Sequence, residues 1–166
     1  NGPDLMGVRP GSPVIFKIPA SGERPMKYSV ERLPEGLSVN PDNGAISGKF
    51  DKEGVYEVTL VATNAKGTAR KKFEFHVGLQ IGLTPPMGWN SWNCWGLSVS
   101  QEKVISSAKA LLEKGLADYG YSYINVDDAW EAPKRNADGT IACNEKFPDM
   151  KGLGDFLHSN GLRFGI

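Results

Sequence analysis

The first half of the chain alternates hydrophobic and polar residues with a period of two, and turn residues interrupt the alternation at short intervals. In residues 69–77, Phe73, Phe75 and Val77 alternate with polar or charged neighbours, which predicts a strand with one buried face and one solvated face. Similar patterns predict strands at 14–18, 26–30 and 55–62. Because no helical pattern separates these strands, we expect a β-sandwich over residues 1–79, the β-sandwich unit.

The pattern changes near residues 78–83. Ser100 is a candidate N-cap for a helix that ends near Gly115, and Val104, Ala108 and Leu111 share one face of it. A strand at 121–126, a long loop at 131–146, a helix at 149–159 and a strand at 162–166 follow. Alternating strands and helices predict a parallel sheet in residues 80–166, the strand–helix unit.

The strand–helix unit has too few residues for the complete fold that its pattern predicts. A complete (β/α)₈ barrel takes about 250 residues, so residues 80–166 would hold only its first strand–helix units. Such an incomplete (TIM-type) barrel has unpaired strand edges, and we therefore expect a homodimer or strand exchange through these edges.

Composition excludes several classes of partner. Lys and Arg total 19, as do Asp and Glu, so the formal net charge is zero, which argues against nucleic acid or an anionic membrane surface as a partner. The apolar runs are too short for a membrane span. The two cysteines are too few for a disulfide scaffold and lack the spacing of a metal site.

Two segments carry the candidate chemistry. Residues 86–96 and 123–130 each begin with a short apolar run and end in aromatic and polar side chains. Because one helix separates them, we expect them at the carboxyl ends of adjacent parallel strands, where α/β folds bind ligands. The Trp92 ring could cover the C–H face of a sugar, and the carboxylates of Asp127 and Asp128 could accept hydrogen bonds from its hydroxyls.

Each of these residues also has a structural interpretation. Trp92 could belong to the core, and one of the aspartates could cap the following segment or pair with a buried arginine. A role for the two aspartates as a catalytic pair is disfavoured, because adjacent strand residues point to opposite faces, whereas two carboxyl groups that cleave a glycosidic bond must face each other across it. Trp89 is assigned to packing, and Trp95 and Trp130 stay unassigned.

Residues 83–92 and 115–130 resemble the α-galactosidase (melibiase) family of glycoside hydrolases, and residues 135–139, 147–151 and 158–166 continue the match. The resemblance implies a retaining hydrolase on a (β/α)₈ barrel that removes terminal α-linked galactose from oligosaccharides or polysaccharides without a cofactor. It implies that Trp92 packs against the sugar and that Asp127 and Asp128 hold its hydroxyls. Both catalytic carboxylates would lie beyond residue 166, so we expect no catalytic residue in this chain and no activity from it alone.

The resemblance also bears on the cysteines. In many family members a cysteine in the first loop bonds to one directly after the aspartate pair, but here Ala129 fills that place. A Cys94–Cys143 disulfide is the remaining hypothesis, with two free thiols as its alternative.

Residues 33–38, 43–48 and 62–67 resemble an immunoglobulin-like domain of bacterial surface and secreted enzymes. That resemblance implies a fold without naming a ligand, and it suggests a periplasmic or extracellular location. Two other functions stay open at this point, a carbohydrate-binding module and a spacer or interaction module without catalysis.

Overall fold

The computed structural model describes all 166 residues, and it divides the first 77 between two facing sheets. The four-stranded sheet has the spatial order β1 (Leu5–Val8), β7 (Gly67–Val77), β6 (Gly54–Asn64), β3 (Lys27–Glu31). The three-stranded sheet has the order β2 (Pro13–Lys17), β5 (Ala45–Lys49), β4 (Leu37–Val39). The predicted β-sandwich is confirmed. The short strands β1, β4 and β5 were not predicted.

The core of the β-sandwich unit is a cluster of fifteen buried residues between the sheets. Three phenylalanines lie at its centre: the ring centroid of Phe73 is 4.6 Å from that of Phe16 and 5.1 Å from that of Phe75. Phe73, Phe75 and Val77 are all buried, so the alternation read in residues 69–77 does separate a core face from a solvated face.

The strand–helix unit holds three parallel strands in the spatial order β10 (Arg163–Gly165), β9 (Tyr123–Asn125), β8 (Gly88–Asn90). Its helices are α1 (Trp92–Trp95), α2 (Gln101–Glu113) and α3 (Met150–Ser159), with 3₁₀ turns at Gly96–Ser98 and Leu116–Tyr119. The predicted alternation of parallel strands and helices is confirmed, although β9 and β10 are shorter than the strands predicted at 121–126 and 162–166.

A second cluster of eleven buried residues joins α2 and α3 to one face of this sheet. Val104, Ala108 and Leu111 come from α2, as the helical spacing predicted. The side chain of Ser100 accepts a hydrogen bond from the backbone N–H of Lys103 and caps the helix, as expected. Trp89 packs against the same cluster, in agreement with its assignment.

Strands β8 and β10 are the edges of the three-stranded sheet. Self-association through these edges stays a prediction. None of the helices has the length and apolar character needed to cross a lipid bilayer.

Candidate functional site

The candidate site lies where β8 and β9 end side by side. Asn90 is in register with Asn125, and the backbone N–H of Ser91 donates to the Asn125 carbonyl over 3.0 Å, which extends the ladder one residue past β8. The residues that follow β8 therefore lie level with the residues that follow β9. This places segments 86–96 and 123–130 together at the carboxyl edge, as the sequence predicted.

Asp127 is held by the neighbouring strand end. Its backbone N–H donates to the Oγ of Ser91 over 2.9 Å, and its Oδ2 accepts from the side-chain amide of Asn90 over 3.1 Å. Its Oδ1 accepts from the backbone N–H of Asp128 over 3.0 Å. Ser91 is fully buried whereas Asp127 is exposed. The carboxylate is thus fixed at its base, yet half of its four lone-pair positions are free to accept further donors.

Asp128 belongs to the loop after β9. Its Oδ1 accepts the backbone N–H of Ala129 over 2.7 Å, and Ala129 has a φ of 74°, in the left-handed region. A hydrogen bond with the Glu131 side chain, followed by the Ala129 N–H and the charge of Lys146, lowers the pKa of Asp128 below its ordinary value. Asp128 is therefore an exposed carboxylate whose Oδ1 is held by its own loop, while its backbone N–H is bonded to Asp127.

Trp92 opens α1 directly after β8. Its backbone N–H donates to the Oδ1 of Asn90 over 2.9 Å, so the Asn90 side chain connects Trp92 to Asp127. Trp92 as a residue is 43% exposed, which leaves surface at the strand ends that a ligand can cover. The structure thus brings Trp92 and Asp127 together, while Asp128 makes no hydrogen bond to Trp92 or Asn90.

The other tryptophans are structural. Trp95 and Trp130 are partly buried and pack against the second core cluster. The indole N–H of Trp95 donates to the Oγ of Ser107 over 3.3 Å, and the ammonium of Lys103 lies 4.8 Å from the centre of its ring. These contacts fix α1 on α2 and leave Trp92 as the most accessible of the four indoles.

The two cysteines follow the second of the two alternatives. The Cys94–Cys143 disulfide is absent, and both side chains are free thiols. Cys94 is exposed on α1, whereas Cys143 packs against the second core cluster and lies opposite Glu131 in an isolated bridge of the long loop. The two thiols are held by different local structures.

Sequence reasoning missed three residues that shape the site, namely Asn90, Ser91 and Glu131. Asn90 could have been found, because it ends its strand on the same side of the predicted pair as the aspartates. The Ser91 hydroxyl contacts the backbone N–H of Asp127 and the Glu131 carboxyl contacts Asp128, and neither contact leaves a periodic pattern in the sequence.

Comparison with known families agrees with this geometry. The family described as "Alpha galactosidase A" matches residues 84–166. The chain belongs to the alpha galactosidase A family. A second family, described as "Putative Ig domain", matches residues 2–78. The chain therefore joins an immunoglobulin-like sandwich to part of an alpha galactosidase A barrel.

Three relatives show how far the likeness extends. An alpha-galactosidase from Cyamopsis tetragonoloba is 44% identical over 88 residues, which are 52% of this chain and 21% of that protein. Two crystal structures from Bacteroides fragilis, described as a "putative alpha-galactosidase" and a "putative alpha-galactosidase/melibiase", match 100% of this chain and 36% of their own chains. Both have a TM-score of 0.96, with identities of 46% and 45%. The chain thus spans about a third or less of these relatives.

Proposed function

We propose that this chain is the front part of a glycoside hydrolase that removes terminal α-linked galactose, and that its strand-end site holds the sugar hydroxyls. The observation that carries the proposal is the linkage of Trp92 to Asp127 through the Asn90 side chain, at the carboxyl edge of two parallel strands. An exposed tryptophan and an exposed carboxylate at the same strand ends supply the two surfaces that a pyranose needs, an apolar face and hydrogen-bond acceptors.

The three site residues have different roles in this proposal. The Trp92 ring covers the C–H face of the galactose. Asp127, whose backbone N–H and Oδ2 are held by Ser91 and Asn90, accepts from hydroxyls in a fixed geometry. Asp128 accepts from a neighbouring hydroxyl, and its lowered pKa lets it stay ionised to a lower pH than an ordinary aspartate.

Neither aspartate acts as nucleophile or general acid in this proposal. Both emerge from one strand end, and one of the Asp127 oxygens accepts from the N–H of Asp128 itself. A double displacement needs carboxyl groups on opposite sides of the scissile bond. We infer that these groups come from the part of the barrel outside this chain, that the reaction retains the anomeric configuration, and that the isolated chain is inactive.

The test compares the isolated 166-residue chain with the whole protein on 4-nitrophenyl α-galactoside, with 4-nitrophenyl β-galactoside as the anomer control. We expect the whole protein, but not the isolated chain, to hydrolyse the α-anomer. In ¹H NMR, α-galactose should be the first product. Turnover by the isolated chain would refute the placement of the catalytic groups, and a first product in the β form would refute retention. Failure of the whole protein on every α-galactoside would refute the function.

The location is also a proposal. An immunoglobulin-like module on a hydrolase of galactose-containing oligosaccharides or polysaccharides fits the periplasm or the cell exterior, where such glycans occur. Cell fractionation followed by immunoblotting would test this, and a signal confined to the cytosol would contradict it.

A further inference from the structure

The β-sandwich unit meets the strand–helix unit at the end opposite the candidate site. A cleft of about 420 Å³ between the units is lined by Phe16 and Lys17 on one side and by Met87, Ser122 and Arg163 on the other. These last three residues precede or begin β8, β9 and β10. The candidate site follows the other ends of β8 and β9, and residues 122 to 127 alone span about 16 Å of extended chain.

Polar contacts cross this boundary at several separate places. The Arg24 guanidinium contacts the Asp118 carboxylate at 2.6 Å, where the Asp118 side chain is only 17% exposed. The Asn43 amide donates to the Ser159 carbonyl at the end of α3 over 3.1 Å. These contacts join two loops of the β-sandwich unit to two separate elements of the strand–helix unit. Together they oppose rotation of one unit relative to the other, which a single contact would allow.

Arg163, the first residue of β10, connects the three-stranded parallel sheet to the β-sandwich unit. Its Nε donates to the Ile15 carbonyl of β2 over 3.2 Å, and its guanidinium lies 5.0 Å from the centre of the Tyr123 ring and donates to the Tyr123 hydroxyl. The first residues of β9 and β10 are thereby tied to an edge strand of the β-sandwich unit.

Backbone also approaches backbone closely across the boundary. Gly161 has a φ of 71°, and a Cβ placed on it would lie 2.8 Å from the Lys17 Cβ and 3.0 Å from the Phe16 carbonyl oxygen. A Cβ on Gly7 would lie 2.7 Å from the Cα of Ile81, so the connecting segment lies flat on β1. Only glycine fits at either place without a shift of the partner.

We propose that the β-sandwich unit is a fixed base that closes the amino-terminal end of the barrel strands and folds cooperatively with them. Separate cores and a polar boundary would ordinarily favour relative motion of two domains. The close backbone contacts oppose such motion. Furthermore, two related crystal structures match the entire chain with a TM-score of 0.96, which requires the same arrangement of the two units. On this account the β-sandwich unit is not a mobile sugar-binding module.

The test uses the fact that all four tryptophans lie in the strand–helix unit. Tryptophan fluorescence of the 166-residue chain then reports thermal unfolding of that unit alone. Val58→Ala weakens the core of the β-sandwich unit, and Val104→Ala is the matched change in the other core, at residues that are 1% and 0% exposed. We expect both variants to lower the fluorescence midpoint by about 5 °C. A shift with Val104→Ala alone would overturn the proposal.

A second comparison tests the boundary itself. Gly161→Ala adds a Cβ against the other unit, whereas Gly115→Ala adds one at a similar φ of 77° after α2, where the nearest atom is the Asp118 carboxylate at 3.6 Å. We expect Val58→Ala to lose its effect on the fluorescence midpoint in the Gly161→Ala background and to keep it in the Gly115→Ala background. An effect of Val58→Ala that is equal in both backgrounds would overturn the coupling through this boundary.

If Gly161→Ala does not fold, Arg24→Ala replaces it, with Arg70→Ala as its control. Arg70 makes an ion pair with Glu31 inside the β-sandwich unit, so Arg70→Ala breaks no contact between the two units. We expect Arg24→Ala to speed hydrogen exchange at the amides of Ser122 and Arg163 by about two- to fivefold, and Arg70→Ala to leave both rates unchanged. Equal rates in the two variants would contradict the proposal.

Discussion

The side-chain amide of Asn90 donates to the carboxylate of Asp127 over 3.1 Å, although the two residues are 37 positions apart. Asn90 ends β8 and Asp127 follows β9, so this bond joins the ends of two parallel strands at one edge of the sheet. The Oδ1 of the same asparagine accepts the N–H of Trp92. One side chain therefore connects the backbone of Trp92 to the carboxylate of Asp127, and the proposed sugar site depends on this connection.

Removal of the Ser91 hydroxyl should destabilise the strand ends. Ser91 is fully buried and its Oγ accepts the Asp127 N–H, so Ser91→Ala leaves that N–H without a partner. We expect a loss of about 1–3 kcal/mol in the free energy of unfolding by urea. Ser106→Ala, on the exposed side of α2, is the control and should change stability by less than about 0.5 kcal/mol. Equal effects of the two changes would exclude a structural role for the Ser91 hydroxyl.

Two glycines in α3 should respond in opposite directions to alanine. A Cβ on Gly152 would lie 2.1 Å from the Asp149 carboxylate, whose Oδ1 accepts the Gly152 N–H and caps the helix. Gly152→Ala should therefore displace the cap and cost about 0.5–2 kcal/mol. Gly154 has only the Phe164 ring nearby, at 3.6 Å, so Gly154→Ala should stabilise the helix by up to about 1 kcal/mol. Urea unfolding of both variants checks the prediction, and a shared sign would contradict it.

Lys17 should make stability depend on alkaline pH. Burial lowers its pKa from the ordinary value of 10.5, although Asp118 opposes the shift and Arg24 adds to it. Between the lowered pKa and 10.5 the unfolded chain binds more protons than the folded chain, so this group makes the folded state more stable as pH rises. Relative to Lys17→Met, the wild type should therefore gain stability as pH approaches 10.5.

The matched control for this experiment is Lys52→Met, at an exposed position. Urea unfolding across the alkaline range should show a constant difference between that variant and the wild type. If the stability difference between Lys17→Met and the wild type also stayed constant with pH, the prediction that burial lowers the pKa of Lys17 would be contradicted.

Periodicity and turn residues predicted much of the architecture, because both report on local geometry and burial. The alternation around Phe73 and the helical spacing of Val104 and Ala108 were sufficient to predict one strand and one helix. The three-residue strand β4 was missed since it is too short to show a period, and its place depends on pairing with β5. Strand order and a helical crossover predicted that Trp92 and Asp127 would meet.

The contacts that shape the site and the unit boundary were not predicted from the sequence. Hydrogen bonds such as Asp127 to Ser91, or Arg163 to the Ile15 carbonyl, join residues far apart in the chain and leave no pattern in composition. Of the two alternatives for Cys94 and Cys143, the structure shows two free thiols, because a shared end of the sheet does not by itself bring two loop side chains together. Whether two loop side chains meet depends on the conformation of the loops, and tertiary packing determines that conformation.

The most direct test of the sugar site is the kcat/KM of the whole protein for 4-nitrophenyl α-galactoside after Asp127→Asn. Loss of one charged acceptor for a sugar hydroxyl should lower kcat/KM about 10- to 150-fold. The matched change Asp155→Asn, at an exposed carboxylate on α3 that pairs with Lys151, should leave it within about twofold. An Asp127→Asn protein that keeps the kcat/KM of the wild type, with an unchanged melting temperature, would contradict the account.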